Sequence, residues 1–285
     1  MSNAVRVKPV TGWSGDADYF TMREYDGFEP EAVMDVLEGR AALVMFRNMV
    51  PRDVCEAVIG RFWDSPHRMV RGVEAPGYYL GAYTWNKPAA PYFAESAKVN
   101  PVLEELLDVP GDPMKQFYDG LGEVLARQGA KVRPGEYEGG TAAHALLRAW
   151  HGAGTFALDP HDDDSQCADP QSADFERVGV VGRNVAALNI CLENDSDGGR
   201  LVYWNIRPDV ASKRRLGIEY TGSPYPVESL EGHGNQWIEV NTGDVYVFNG
   251  AHVHAVEPNT AEAQTRTTLA AMMGFIDDHT VITWS

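Results

Sequence analysis

A mainly β fold is what this 285-residue sequence predicts: a double-stranded β-helix core, jelly-roll or cupin-like, with helices added at its N-terminal side. Three observations lead there. From Glu29 to Ala130 apolar residues recur mostly at helical spacing. After Gly139-Gly140 the pattern changes to short runs punctuated by Gly, Pro and Asn-Asp turns, the signature of a two-sheet β fold. No Pro/Ser/Gly-rich linker divides the chain, so one domain is expected over 1–285, with 1–140 mainly helical and 141–285 forming the β core.

In the first part, Pro30 suits an opening helical turn, and Ala32, Val33, Val36 and Leu37 share a face. Ala41 to Val50 reads as a buried strand. Pro51 then opens a helix on which Val54, Cys55, Val58, Ile59, Phe62 and Trp63 keep a helical period. A further helical pair is predicted over Pro101–Val109 and Pro113–Ala130. The aromatic and glycine-rich stretch Gly77–Trp85 between them reads as a loop or short strand beside the core's mouth. In the second part, strands are predicted over Ala143–His151, Thr155–His161, Asn184–Leu192, Arg200–Asn205, Trp237–Val240, Asp244–Asn249, Val253–Glu257, Arg266–Phe275 and Val281–Trp284.

A formal charge of −17 gives an acidic surface that repels phosphate backbones and anionic lipid, so neither nucleic acid nor membrane is expected as a partner. The first residues lack the apolar core of a signal peptide, and no apolar run reaches membrane-spanning length; a cytoplasmic protein is expected. Cys55, Cys167 and Cys191 have no metal-like spacing and are too few for a disulfide framework, which fits a reducing compartment. The sequence leaves open whether the chain is a monomer or a homodimer.

The chemistry is concentrated in two distant segments. Asp159-Pro160-His161-Asp162-Asp163 ends a predicted strand, and residues two apart in a strand share a face, so His161 and Asp163 can aim at one ion while Asp162 and Asp164 point away. Phe248-Asn249-Gly250-Ala251-His252-Val253-His254 supplies a third ligand, with His252 and His254 as alternatives. Two imidazoles and one carboxylate that leave other positions open suit non-haem Fe(II) oxygen chemistry. Downstream, Arg266 offers a planar fork for a carboxylate, with the Thr268 hydroxyl on the same strand face. Arg148 and Trp150 alternate on one side of an earlier strand, and Asn189 is a polar residue in an apolar run.

Over roughly Ala143 to Phe275 these motifs resemble the Fe(II)/2-oxoglutarate-dependent dioxygenases, in particular their prolyl-4-hydroxylase-like branch. The resemblance rests on Gly243-Asp244-Val245-Tyr246-Val247-Phe248, then His254-Ala255-Val256, then Arg266, and on Gly198-Gly199 leading into a strand. It implies His161, Asp163 and His254 as metal ligands and catalytic centre. It also implies that Arg266 and Thr268 hold the distal carboxylate of 2-oxoglutarate, with Arg148 and Trp150 close to that co-substrate. The implied reaction uses Fe(II), 2-oxoglutarate and O2 to hydroxylate an unactivated C–H of a small molecule, a free amino acid or an amino-acid-derived metabolite. Halogenating relatives carry Gly or Ala where this chain has Asp163, so hydroxylation is expected. The resemblance departs at two long segments, Ser165–Arg183 and Arg207–Gln236. The first is expected to border the substrate, and the second reads as an inserted lid or a disordered surface loop. Two other classes are open to the sequence. A cupin-like metal protein without redox chemistry needs the triad but not Arg266, and a non-catalytic relative needs neither.

Overall fold

The computed structural model describes residues 7–72, 77–151, 156–194, 198–259 and 265–285. Fourteen strands and five helices organise it around the site. In chain order they are β1 (Arg23–Asp26), α1 (Pro30–Leu37), β2 (Leu43–Arg47), α2 (Arg52–Asp64), β3 (Met69–Arg71), β4 (Gly77–Gly81), α3 (Ala89–Leu107), α4 (Pro113–Arg127), β5 (Lys131–Pro134), β6 (Leu146–His151), β7 (Leu158–His161) and β8 (Ala186–Glu193). There follow β9 (Leu201–Trp204), α5 (Val210–Leu216), β10 (Asn235–Ile238), β11 (Val245–Asn249), β12 (His254–Val256), β13 (Thr265–Asp277) and β14 (Thr280–Trp284). A four-residue helix at Ala17–Phe20, short 3-10 turns and two-residue strands complete the described residues.

A ten-stranded sheet runs β1-β2-β11-β8-β13-β6-β4-β3, with β14 and then β5 beside the second half of β13. A four-stranded sheet runs β7-β12-β9-β10. The period-2 alternation of strand side chains explains how the layers stack. Val44 and Phe46 of β2, Leu188 and Ile190 of β8, Val245 and Val247 of β11 and Leu269 and Ala271 of β13 join one core with the helices α1 to α4. The intervening residues Leu43, Met45, Ala187, Cys191, Tyr246 and Phe248 turn the other way and pack on Leu201, Tyr203 and Ile238 of the small sheet. The large sheet is therefore apolar on both faces. The functional residues lie between the two sheets.

Most predicted elements recur within a few residues; the expected start of one strand at Thr155 lies outside the described residues. Two elements differ. The helix expected from Pro101 begins at Ala89, because buried Tyr92, Phe93, Ser96, Asn100, Leu103 and Leu107 keep one face continuous through Pro101. Pro is favoured at a helix start, which misleads when tertiary packing carries a helix through it. Arg207–Gln236 is not a disordered loop. It is laid down as α5, a 3-10 turn and the start of β10 against the small sheet, with Ile218, Tyr225 and Leu230 in a shared core.

Asp244, in the turn before β11, locks the two sheets' edges. Its buried carboxylate accepts from Arg47 at 2.6 Å, from the Asn241 amide at 2.8 Å and from the Asn48 amide at 3.2 Å. Removing it leaves two amides without an acceptor and the Arg47 guanidinium with only Glu24 and the Glu239 carbonyl. Asp244→Ala is expected to destabilise the fold by about 3 kcal/mol, read from urea denaturation; a change below about 0.5 kcal/mol, the level of an ordinary surface substitution, would show the turn to be held otherwise.

Candidate metal centre and co-substrate pocket

His161 ends β7 and His254 begins β12, and these two strands pair with His161 opposite His254. Their rings lie 4.1 Å apart. Asp163 follows at the start of the loop, with its carboxylate 3.5 Å from His254 Nε2 and 4.0 Å from His161 Nε2. Each of the three offers a ligand atom within 4.8 Å of the others, the one such group among the described residues. Both imidazoles are aimed through their other nitrogen. His161 Nδ1 lies 2.7 Å from the Asp159 carbonyl and His254 Nδ1 lies 2.9 Å from the His252 carbonyl. A ring that donates Nδ1–H to a carbonyl presents an unprotonated Nε2, the form a metal needs.

Burial reinforces that state. It brings His161 down to about 3 and His254 down to about 4, each a neutral base at physiological pH. Burial also raises Asp163 to about 6, so its anionic form gains from a cation beside it. Gly250 makes room for this carboxylate, since a Cβ there would come within 2.5 Å of it. The Gly250 carbonyl also accepts the Asp163 amide at 2.7 Å.

Asp162 and Asp164 do point away from the ligand face, but into the protein. Asp162 is fully buried and accepts from Lys213 of α5 at 3.2 Å, Tyr225 Oη at 2.6 Å and Ser165 Oγ at 3.0 Å. Lys213 also reaches Asp164 at 2.5 Å. Burial opposes charge on Asp162, yet these donors hold it below the usual carboxylate range, and the two aspartates keep Lys213 protonated. The metal loop is thus riveted to the 207–236 segment. Nothing in the sequence signalled this, because Lys213 lies in an ordinary basic run, Lys213-Arg214-Arg215.

His252, the alternative ligand, faces elsewhere. It is buried, with Nε2 3.1 Å from Tyr19 Oη and Nδ1 3.1 Å from the Trp204 carbonyl. It serves to hold the N-terminal segment on the small sheet rather than lying at the surface. The two histidines diverge because β12 begins only at His254, so the two-residue alternation does not extend to His252.

A cavity of about 300 Å³ opens beside the triad, lined by Arg71, Arg148, Asn189, Tyr246, Phe248 and mostly apolar neighbours. The two long loops reach it as well, through Gln166 from one and Ser223 and Pro224 from the other. Arg266 lies deeper, 2% exposed, and donates to Tyr246 Oη at 2.5 Å. In the β6–β13 pairing Arg266 is opposite Trp150, and Thr268 is opposite Arg148. On this shared face Arg266 Nε, Thr268 Oγ1, Trp150 Nε1 and Arg148 Nε are all buried without a hydrogen-bond partner. Four idle donors in one place are costly in a native core, at about 1–3 kcal/mol each. Acceptor-rich anions satisfy such donors, so the residues fit both a divalent metal and a dicarboxylate. Gly199 backs this pocket. It adopts φ +66°, and a Cβ there would press on the Arg266 side chain. Asp195, before this glycine pair, lies outside the described residues. Tyr246, Arg71 and Gln166 were not singled out in the sequence. Tyr246 could have been found by alternation, being two residues before Phe248 on an inward face.

Because His252 is held neutral well below its unfolded value of about 6.5, falling to about 3 in the fold, the unfolded chain takes up a proton that the folded one refuses. Stability of the metal-free protein is expected to fall as pH drops from 6.5 toward 4. His252→Gln should flatten that slope by about 1.4 kcal/mol per pH unit, measured by urea titrations at pH 7, 6 and 5. Equal slopes in the two proteins would refute it.

Residues 24–285 match the family described as carrier-protein-independent halogenase WelO5. The chain is 29% identical over 251 residues to L-isoleucine 3(1)-dioxygenase of Pantoea ananatis (strain AJ13355), covering 85% of this chain and 83% of the relative. Its fold is similar to the crystal structure of an N-substituted L-amino acid dioxygenase from Burkholderia ambifaria AMMD, with TM-score 0.60, 18% identity and 90% and 91% of the two chains covered. The same dioxygenase in complex with α-ketoglutarate gives TM-score 0.57 at 18% identity, with 90% and 91% covered. The chain belongs to the WelO5 family and is an Fe(II)/2-oxoglutarate-dependent dioxygenase.

Proposed function

We propose that the chain hydroxylates an unactivated C–H of a free or lightly modified amino acid with an apolar side chain. One observation carries this reading: the triad His161, Asp163 and His254 lines one small, largely apolar cavity together with Arg148, which shares a strand face with the idle donors of Trp150, Arg266 and Thr268 behind it. The printed activities of the Pantoea and Burkholderia proteins, both acting on amino acids, support the substrate class. Cavity size agrees, since about 300 Å³ is at the low end for small-molecule sites, roughly 300–1,000 Å³.

In this reading His161 and His254 offer Nε2 and Asp163 its carboxylate to Fe(II). Arg266 pairs with the distal carboxylate of 2-oxoglutarate, Thr268 donates its hydroxyl to it, and Tyr246 keeps the guanidinium in place. Trp150, opposite Arg266, flanks the co-substrate end, while Arg148, further along the same face, opens on the cavity. When bound, iron and 2-oxoglutarate supply an O2-driven oxidation coupled to release of CO2 and succinate. The chain's own task is to fix ligand directions, hold the substrate carbon near the metal and keep water out with Phe248, Trp85 and the leucines of the lining. The two sheets form the double-stranded β-helix of one catalytic domain, and the order Gly-Asp, His254, Arg266 supports a prolyl-4-hydroxylase-like placement within the wider class. Arg266, buried and aimed at this face, gives the non-redox cupin-like alternative no support.

Arg266→Lys is expected to raise the 2-oxoglutarate KM by about 10- to 100-fold, the loss of one charged, paired contact of roughly 1.5–3 kcal/mol. An unchanged KM removes Arg266 from the co-substrate site. Mass spectrometry after incubating the Fe(II)-loaded enzyme with 2-oxoglutarate and pooled amino acids should reveal a product heavier by one oxygen. No chlorinated product is expected in abundant chloride, because the Asp163 carboxylate occupies the place a halide needs. His254→Ala should abolish turnover while His252→Ala, in whatever fraction folds, retains it. A chlorinated product, or turnover that survives His254→Ala, contradicts this assignment.

A further inference from the structure

Arg148 is a cation of the cavity that forms no ion pair with any described residue. Its Nε is sealed and unpartnered, and its guanidinium lies over the Trp150 ring at 4.9 Å. Burial, with Arg71 beside it, lowers Arg148 to about 9, so it still carries its charge at neutral pH. Within the site as read above, a divalent metal, Asp163, Arg266 and a dianionic co-substrate cancel one another, and the two histidines are neutral. The charge of Arg148 is left over. A partly desolvated guanidinium without an anion is unfavourable, and its planar fork suits a carboxylate.

Its position separates it from the co-substrate end. Arg148 lines the open cavity, whereas Arg266 and Thr268 lie behind Tyr246 and outside that lining. A second guanidinium reaches the same space from two strands away. Arg71 of β3 is in register with Gly77 of β4, which in turn faces Trp150, and Gly77 has no side chain to come between them. The Arg71 guanidinium rests on Tyr83 at 4.6 Å, and both residues line the cavity. Beyond the arginines the walls are apolar, with Leu146, Leu158, Leu201, Val256 and Met272. Asp159 at the rim is a second carboxylate side chain of the lining besides Asp163, and it suits an ammonium group.

We propose that Arg148 and Arg71 form a carboxylate-binding subsite for the substrate, so that the enzyme selects a free α-carboxylate joined to an apolar side chain. This rests on the proposed reading of the site and adds to it the group by which the substrate is recognised. It predicts that an amino acid whose carboxylate is masked fails to bind, however well its side chain fits.

Calorimetry on the zinc-loaded protein saturated with 2-oxoglutarate, which binds without turning over, tests it with L-isoleucine, L-leucine and L-valine and their primary amides. At least one acid is expected to bind, and its amide should bind at least about tenfold more weakly, the scale of one charged hydrogen bond. Arg148→Gln should weaken the acid by a similar factor and leave 2-oxoglutarate affinity within about twofold, a difference well under one hydrogen bond. Arg148→Lys should recover part of the loss. Arg71→Gln should weaken the acid without touching 2-oxoglutarate, which keeps the test intact if Arg148→Gln fails to fold. Acids and amides binding alike, no acid binding at all, or Arg148→Gln losing 2-oxoglutarate while keeping the acid would each overturn the subsite. Failure of the wild type to bind 2-oxoglutarate would instead overturn the co-substrate reading beneath it, an outcome visible before any amino acid is added.

Discussion

The metal loop depends on a buried ionic knot that contains no ligand. Lys213 and Asp162 leave water together with Tyr225 and Ser165, with the partly exposed Asp164 at their edge, at a desolvation cost of several kcal/mol per buried ion. That cost is offset only where every lone pair finds a donor, and Asp162 has four, counting the Ser165 amide. The backbone just past the end of β7 turns Asp163 toward His161 and His254 and Asp162 the other way, into the knot. Fixing one face therefore fixes the other, and the ligands are held by groups that never approach the metal. Preorganisation of this kind is what a site needs if it is to accept a cation without rearranging.

This explains where sequence reading succeeded. Alternation placed Thr268 beside Arg266, put Arg148 and Trp150 on a common side, and made His161 and Asp163 partners; the structure brings all of these to one space between the sheets. Periodicity likewise exposed most strands and helices, because each buries a face whose spacing is local. What it could not show are contacts that join distant segments with no pattern of their own. Lys213 sits 51 positions from Asp162. Arg71 is an ordinary residue at a short edge strand, and only its register with Gly77 and Trp150 reveals where it reaches. The distinction between His252 and His254 was likewise local but undecidable, since it turns on which of the two begins the strand.

The family carries a halogenase in its description, whereas this chain sets a carboxylate, Asp163, beside the two histidines. Those facts agree once fold and site are kept separate. β7 and β12 set the two histidines, and in the proposed reading the residue at 163 decides how many positions the metal has left. Here the carboxylate is also built in. Gly250 leaves it room, its amide is tied to the Gly250 carbonyl, and its neighbours on both sides belong to the Lys213 knot.

Charge then explains the rest of the cavity. The chain as a whole is strongly acidic, yet the space beside the metal collects Arg71, Arg148 and Arg266 within an otherwise apolar lining. An acidic exterior does not draw anions in from a distance, particularly beyond a Debye length of about 8 Å at physiological salt. Selectivity for carboxylates must therefore arise inside, at short range, where guanidinium forks and a low dielectric make each contact strong. One buried arginine behind Tyr246 suits a co-substrate that every turnover shares. A second, open to the cavity and ringed by leucines, suits a group that changes from one candidate substrate to another, and that separation lets the enzyme bind a common oxidant partner while still discriminating what it oxidises.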